Sequence, residues 1–259
     1  MNFKLSANIG FLWDSLPLAE RIQAAHQAGF DAVECHFPYD NDAHDIKEVL
    51  LQTGLPMVGI NTALGQDGSG DFGVAALPGK QELARSLIDQ AIDYAIVIDA
   101  ANINVVAGLT GGAADAEQVY CDNLKYACDK AAQHGKTVVI EPLNPRAVQN
   151  YHFNTVEHAV SIIDKVEADN LKLMFDFFHA QIVQGDLETL IRDYCNYFGH
   201  IQISAVHDRG EPDVGELNYP YLLSVLQDAG YTGFIGAEYK PRGQTVEAGL
   251  SWMSKFRDS

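Results

Sequence analysis

Short apolar runs rich in β-branched residues alternate along this chain with segments whose apolar residues recur at helical spacing. The runs typical of strands are Lys4–Ile9, Ala32–Cys35, Met57–Asn61, Asn102–Val106, Thr137–Glu141, Leu171–Phe175, Ile201–Ile203 and Phe234–Glu238. The helical patterns lie at Leu16–Ala28, Lys80–Asp99, Ala114–Gln133, Thr155–Val166, Leu187–Phe198, Tyr219–Ala229 and Thr245–Phe256. Eight strands alternating with helices predict an α/β fold, a (β/α)8 TIM barrel.

The length is consistent with this architecture. A chain of 259 residues suits one barrel domain over residues 1–259, and two smaller domains are the alternative. No linker, low-complexity tract or block of charge divides the chain. An open doubly wound sheet is the competing fold, but no G-x-G-x-x-G motif follows the first predicted strand.

Four polar side chains lie at or near the ends of four successive predicted strands. They are Glu141, Asp176, Gln202 and Glu238, and consecutive members are 26 to 36 residues apart. Each interval is about one strand–helix–strand unit. Taken singly, such a residue is most often a solvated loop side chain. Because the carboxyl ends of parallel strands converge on one face of a barrel, the set of four favours a shared site for a hard metal ion.

The ligand types indicate which ion and which chemistry. Carboxylate and amide oxygens favour Mg²⁺ or Mn²⁺ over Zn²⁺. Glu141 and Glu238 would stand three strands apart and could flank a substrate from two sides. A metal that polarises a carbonyl, with one carboxylate removing a proton and another returning it to the neighbouring carbon, suits isomerisation through an enediolate.

Further polar residues follow these strand ends. Arg146, Lys240 and Arg242 are candidates to bind a substrate carboxylate, although exposed cations that balance an acidic protein are the plainer explanation. Arg209, in the loop after strand seven, joins Arg146 and Lys240 as a candidate substrate-binding residue. His179 is expected to contact a substrate hydroxyl, the alternative being a helix cap. His200, two residues before Gln202, is a further ligand or a partner of one.

Two glycine-rich connections, residues 64–73 and 207–215, follow predicted strand ends. Both lie on the face where barrel enzymes carry their active sites, so they are candidate lids. Mobile surface loops of no catalytic importance have the same composition. Composition alone leaves both interpretations open.

Charge and cysteine content narrow the range of partners. The formal net charge is −18 and the pI is near 4.7, which disfavours nucleic acid and anionic membranes as partners. The four cysteines form no C-x-x-C pair, which is typical of reduced thiols in the cytoplasm. No signal peptide or membrane-spanning run is visible. A small-molecule substrate is expected, no nucleotide-binding motif is present, and a homo-oligomer is compatible with the sequence.

Several motifs resemble the hydroxypyruvate isomerase family of xylose-isomerase-like barrels. They are Ile140-Glu-Pro-Leu-Asn144, Asp176-x-x-His179, Gly199-His-Ile-Gln-Ile203, Gly215-Glu-Leu-Asn-Tyr-Pro220 and Glu238-Tyr-Lys-Pro-Arg-Gly243. The resemblance runs through essentially the whole chain and implies a divalent metal held by Glu141, Asp176, Gln202 and Glu238. It also implies that Glu141 and Glu238 donate and accept the proton. The family interconverts hydroxypyruvate and tartronate semialdehyde, and close relatives isomerise 2-oxo-tetronates.

The chain departs from the family pattern on the substrate side. It has Val206-His-Asp-Arg209 where a Pro-Gly pair usually precedes the arginine, and Asn144-Pro-Arg146 where Asn-Thr-Arg is commoner. These differences affect the identity of the substrate more than the class of reaction. A ketose 3-epimerase or polyol dehydratase on the same metal site is the main alternative.

Two further alternatives come from other functional classes. A non-catalytic sugar-binding barrel fits the fold, but the intact pair of glutamates argues against it. A metal-dependent repair nuclease needs several zinc-binding histidines and a basic face, whereas this chain has carboxylates, an amide and a strongly negative charge.

Overall fold

Eight parallel strands close into a barrel in chain order, each paired with its neighbours and β8 paired with β1. The computed structural model describes residues 3–65 and 72–257. The strands are β1 (Leu5–Asn8), β2 (Ala32–Glu34), β3 (Met57–Asn61), β4 (Asn102–Asn104), β5 (Thr137–Ile140), β6 (Leu171–Asp176), β7 (Phe198–Ile203) and β8 (Ile235–Ala237). The predicted TIM barrel is therefore confirmed.

Helices follow the strands and form the outer layer. They are α1 (Leu18–Gln27), α2 (Ala43–Thr53), α3 (Gln81–Ile98), α4 (Ala116–Ala132), α5 (Val156–Val166), α6 (Phe177–Val183), α7 (Leu187–Tyr194), α8 (Tyr219–Asp228) and α9 (Trp252–Arg257). Every strand points the same way, so all eight carboxyl ends lie at one mouth of the barrel.

The structure contains two helices that the hydrophobic pattern did not predict. Asp42 caps the start of helix α2, since its side chain accepts a hydrogen bond from the His44 amide. Gly54, in the left-handed conformation, caps the end of the helix. Only Ile46 and Leu50 of this helix are buried, which is too few to give a recognisable helical pattern of apolar residues. Helix α6 begins directly at the end of β6, because the Asp176 carboxylate accepts from the Phe178 amide at 2.8 Å.

Two predicted helices were too long. The prediction at Leu187–Phe198 was wrong beyond Tyr194, because residues Cys195–Tyr197 form a 3₁₀ turn and Phe198 already begins β7. At Thr245–Phe256 the chain forms a 3₁₀ turn at Glu247–Gly249 before α9 starts at Trp252. Apolar residues at helical spacing do not distinguish these turns from a continuous helix.

Helix α5 shows how the outer layer is attached. Its cap residue Thr155 accepts from the His158 amide, and its buried stripe includes Val156, Val160 and Ile163. Burial of such side chains stabilises the fold by roughly 1.5–3 kcal/mol each. The main core thus lies between helices and barrel, which leaves the inside of the barrel mouth for polar residues.

Within the described residues, no helix combines the length and the apolar character needed to cross a bilayer.

Candidate active site

The four residues predicted from strand ends meet at the carboxyl mouth of the barrel. Glu141 follows β5, Asp176 ends β6, Gln202 lies in β7 and Glu238 follows β8. Asp176 and Gln202 are register partners in adjacent strands. All four are buried, with at most 8% of each residue exposed. Burial of three carboxylates in one place is costly unless a cation accompanies them.

Glu238 has close polar partners on both carboxylate oxygens. His36 Nε2 lies 2.7 Å from Oε1, and Arg209 Nη2 donates to Oε2 at 2.8 Å. Burial by itself disfavours the charged form, but the positive charge of Arg209 and the contact with His36 lower the pKa of Glu238 to about 2. Glu238 is therefore held as an ionised carboxylate.

Glu141 lies in a different environment. Its side chain has a hydrogen bond from Asn104 Nδ2 at 3.5 Å and lies 3.8 Å from His179 Nε2. Burial raises the pKa of Glu141 well above its usual range, and repulsion by Glu238 and Asp176 raises it further. In the absence of a metal ion this carboxyl group therefore favours the protonated form.

Asp176 is intermediate between the two glutamates. Burial raises its pKa to about 7, although Arg209 Nη2 at 3.1 Å and the hydrogen bond from the Phe178 amide act in the opposite direction. Arg209 thus bridges Asp176 and Glu238. The site holds one guanidinium against three carboxylates, which leaves negative charge that a divalent ion would balance.

His179 joins this cluster from α6. One oxygen each from Glu141 and Asp176 lies, together with a His179 ring nitrogen, within 4.8 Å of one another. The Asn144 amide donates to Nδ1 at 2.9 Å, so Nδ1 is unprotonated. Burial, and next the charge of Arg209, lower the pKa of His179 to about 3. The ring is therefore neutral with its proton on Nε2.

This tautomer decides what His179 can do. A protonated Nε2 is a hydrogen-bond donor and is not a metal ligand. The geometry therefore agrees better with the predicted contact to a substrate oxygen than with metal ligation. Arg209 Nη1 lies 3.3 Å from the same nitrogen. Because both groups are donors, that approach is a van der Waals contact and does not satisfy either group.

Gln202 provides a direct test of whether the site fits a cation. Its Nε2 donates to Glu34 Oε1 at 2.8 Å, whereas its Oε1 is buried and has no hydrogen-bond donor among the described residues. A buried oxygen without a partner costs about 1–3 kcal/mol. An amide oxygen without a donor, beside three carboxylates, is the donor set that Mg²⁺ or Mn²⁺ prefers.

Besides its contacts with the carboxylates, the Arg209 guanidinium packs against two aromatic rings. Its guanidinium carbon lies 4.8 Å from the Phe178 ring centre and 5.3 Å from that of Phe11. Its backbone adopts a positive φ of 57°, which is uncommon for a residue with a side chain. The chain thus places this arginine in the site at some conformational cost.

A cavity of about 240 Å³ opens above the cluster. Its polar lining includes Glu141, His179, Arg209 and Glu238, and its apolar lining is Phe11, Phe37, Leu64, Phe72, Val106, Leu143, Val148 and Tyr151. The volume accommodates a short acid or sugar with its polar end on the cluster.

The other predicted anion-binding residues lie outside this lining. Arg146 is exposed, and Lys240 lines a neighbouring groove, separated from the cavity by Phe11. Arg242 pairs with Asp208 at 2.7 Å and with Glu211 at 3.1 Å, which fastens the 207–215 loop. A substrate role for Arg146 and Lys240 stays a prediction, and Arg209 is the cation that the described part of the chain presents to the cavity.

The candidate lids are only partly visible. Leu64 and Phe72 line the cavity, but residues 66–71 of the first loop lie outside the described residues. The second loop carries Arg209 into the site. Closure of either loop stays a prediction.

Several site residues were not assigned a role from the sequence. Glu34 and His36 were visible at the end of β2, but neither hydrogen bond could be foreseen, because each joins residues more than 160 positions apart in the chain. Asn104 ends β4 in the same way as Asp176 ends β6. The predicted strand continued to Val106, so only the structure shows that Asn104 ends it. His200 contacts Glu34 at 2.7 Å and so is a partner within this network.

Comparison with known proteins agrees with this geometry. The family described as xylose isomerase-like TIM barrel matches residues 22–256. A 2-oxo-tetronate isomerase from Pectobacterium atrosepticum is 41% identical over 256 residues, covering 98% of this chain and 97% of the relative. The 2-oxo-tetronate isomerase of Haemophilus influenzae is 37% identical, covering 98% of this chain and 99% of its own length. A mouse protein provisionally named hydroxypyruvate isomerase is 40% identical, over 98% and 95% of the two chains.

Solved structures share the fold. A crystal structure from Brucella melitensis, described as an AP endonuclease of family 2, superimposes with a TM-score of 0.95 at 41% identity and covers 99% of this chain and 100% of its own. The 3-keto-D-glucoside 4-epimerase YcjR from E. coli superimposes with a TM-score of 0.80 at 21% identity, over 98% and 100% of the two chains. At that lower identity the likeness concerns the fold alone.

Proposed function

The chain belongs to the xylose isomerase-like TIM barrel family, and we propose that it is a metal-dependent isomerase of small hydroxy-keto acids. The substrate class is hydroxypyruvate, which would give tartronate semialdehyde, or a 2-oxo-tetronate. Relatives that cover almost the whole chain carry these names. The observation that carries the proposal is the group of buried carboxylates Glu141, Asp176 and Glu238 together with a buried Gln202 amide oxygen that has no donor among the described residues.

The residues suited to hold the ion are Glu141, Asp176, Gln202 and Glu238. A bound Mg²⁺ or Mn²⁺ would polarise the substrate carbonyl and favour the enediolate. Arg209, which lines the cavity, would bind the substrate carboxylate, and His179, whose Nε2 carries the proton, would donate to a substrate oxygen.

The two glutamates then divide the proton transfer. Glu238, held ionised by Arg209 and His36, takes the proton from C3 of hydroxypyruvate. Glu141 would return a proton to C2, transfer of the hydroxyl proton from O3 to O2 would complete tartronate semialdehyde, and proton exchange with solvent would reset the two carboxyl groups. Pairs of carboxyl groups whose environments separate their pKa values commonly divide acid and base roles in this way.

The nuclease name carried by the Brucella structure has to be weighed against this site. A duplex DNA substrate brings dense negative charge, whereas this chain has a formal net charge of −18. The cavity of about 240 Å³ is lined partly by aromatic side chains and fits a small molecule. The isomerase therefore remains the better-supported function.

A substrate panel tests the proposal. Protein stripped of metal, checked by elemental analysis, is assayed with and without Mg²⁺ or Mn²⁺ on hydroxypyruvate, a 2-oxo-tetronate, a ketohexose and DNA containing an abasic site. We expect turnover of one of the acids, lost by more than about 100-fold on metal removal and restored by either ion. Full activity without metal would contradict the metal role. Turnover of only the ketohexose would favour the epimerase alternative, and cleavage of the DNA would favour the nuclease.

A further inference from the structure

A second polar network adjoins the site, and its residues line a small cavity together with Glu141, Gln202 and Glu238. Its centre is the Glu34 carboxylate at the end of β2, which is 3% exposed. Asn8 Nδ2 donates to Oε1 at 3.2 Å, and His200 Nε2 lies 2.7 Å from Oε2. Gln202 Nε2 also donates to Oε1, at 2.8 Å. Glu34 is thus connected to Gln202 but is not one of the residues proposed to hold the metal.

The contact with Glu34 determines how the Gln202 amide is turned. A carboxylate is an acceptor, so it binds the NH₂ end of the amide and disfavours the rotated arrangement in which two oxygens would face each other. The amide oxygen is consequently buried without a donor among the described residues, and Gln202 lines a small cavity together with Glu141 and Glu238. A metal ligand must present oxygen, and an amide is otherwise free to present nitrogen.

Strand β8 has a glycine, Gly236, where it passes the Glu34 carboxylate. A methyl group at Gly236 would lie 2.5 Å from Glu34 Oε2 and 2.7 Å from Oε1. Such approaches are shorter than real side chains make, so a residue larger than glycine at this position would displace the carboxylate. Glycine within a strand often marks such a close approach.

We propose that Glu34 is a positioning residue that holds the Gln202 amide with its oxygen directed to the divalent metal. The inference rests on the proposed function, because it gives Gln202 its part in metal binding. Partners behind a metal ligand typically change metal affinity by about 10–100-fold when they are altered.

Titration of the metal-free protein with Mn²⁺, followed by calorimetry, tests the proposal without reference to activity. Glu34→Gln replaces the carboxylate by a group of the same shape that can itself rotate, so either orientation of Gln202 becomes possible. We expect its dissociation constant for Mn²⁺ to rise by about 10–100-fold. Glu117→Gln is the matched control, because Glu117 has a similar 2.7 Å contact with a histidine on the helical layer. It should leave the constant unchanged.

An exchange of the two groups separates positioning from simple loss of packing. The double variant Glu34→Gln with Gln202→Glu keeps one amide and one carboxylate in contact and again leaves an oxygen for the metal. We expect the Mn²⁺ affinity lost in Glu34→Gln to be recovered, because a carboxylate at position 202 presents an oxygen to the metal in either orientation. Gly236→Ala, which displaces Glu34 without changing either group, should weaken binding as Glu34→Gln does.

The outcomes are distinguishable. If the wild type fails to bind Mn²⁺, the metal-dependent function itself is wrong. If the wild type binds and Glu34→Gln binds equally well, only the role of Glu34 is wrong. Where Glu34→Gln does not fold, as judged by circular dichroism, the double variant decides, and failure of the exchange to restore binding also overturns the proposal.

Discussion

The two glutamates at the barrel mouth have the same side chain and opposite surroundings. Both carboxylate oxygens of Glu238 have a close partner, His36 on one and Arg209 on the other. Among the described residues, the hydrogen-bond and ion-pair partners of Glu141 lie at 3.5 Å and 3.8 Å. The pKa of Glu238 is accordingly low and that of Glu141 is high. The contrast teaches that the placement of neighbouring charges, and not residue type, separates the pKa values of two identical side chains.

The largest effect should come from removing each carboxylate in turn. Glu141→Gln and Glu238→Gln should each lower turnover of hydroxypyruvate by more than about 100-fold, the span typical of general acid–base catalysis. Exchange of the C3 hydrogen with deuterium from solvent distinguishes them. Glu238→Gln should abolish the exchange, while Glu141→Gln should retain it because proton removal still occurs.

Bound metal has to be measured in both variants, and Glu167→Gln, on the exposed end of α5, serves as the matched control. Loss of exchange in Glu141→Gln with metal retained would reverse the assignment of base and acid. Near-normal turnover in both variants would remove the glutamates from the proton transfer altogether.

Replacing the cations should have a smaller effect on substrate binding, and the effect should follow how close each cation lies to the cavity. Arg209 lines the cavity, Lys240 lies behind Phe11, and Arg146 is exposed. A charge-assisted contact contributes about 1.5–3 kcal/mol, so Arg209→Lys should raise the KM for hydroxypyruvate by about ten-fold. Lys240→Ala should raise it by less, and Arg146→Ala should leave it unchanged.

An uncharged ketose provides the internal comparison, because its KM should respond less to Arg209→Lys. An effect of Lys240→Ala larger than that of Arg209→Lys would show that the loop rearranges when substrate binds. Equal effects on both substrates would assign these cations a structural role.

The smallest effect concerns the stability of the metal-free protein. The raised pKa of Glu141 means that the folded protein keeps a proton that the unfolded chain releases above its ordinary value of 4.5. Stability is therefore lost as pH rises above that value. Glu141→Gln removes this pH-dependent loss of stability. The melting temperature of the variant, measured relative to the wild type, should therefore be a few degrees higher at pH 8 than at pH 5.

Glu238→Gln should behave in the opposite sense. The lowered pKa of Glu238 stabilises the folded protein above the ordinary value of 4.5, and that contribution is lost only as pH falls toward 2. Glu238→Gln should therefore melt below the wild type at both pH 5 and pH 8. Calorimetry in the presence of a chelator measures both differences. A melting-temperature difference between Glu141→Gln and the wild type that shrinks from pH 5 to pH 8 would contradict the contrast between the two sites.

The sequence by itself determined the barrel and the positions of the metal-binding candidates. Strand-end carboxylates are legible because each follows its own apolar run, and parallel strands in a closed barrel necessarily end at one mouth. Glu141, Asp176, Gln202 and Glu238 could be identified in this way. Helices α2 and α6 could not, since their buried stripes are short and the cap at Asp176 coincides with a strand end.

Only the tertiary structure decided which partners these residues have. The Glu34–Gln202 and His36–Glu238 contacts join strands far apart in the chain, and closure of the barrel brings them together. The Asn144 amide selects the tautomer of His179, and the loop after β7 brings Arg209 rather than Lys240 into the cavity. The physical reason is that pKa values, amide orientations and tautomers depend on distances between side chains that the order of residues does not contain.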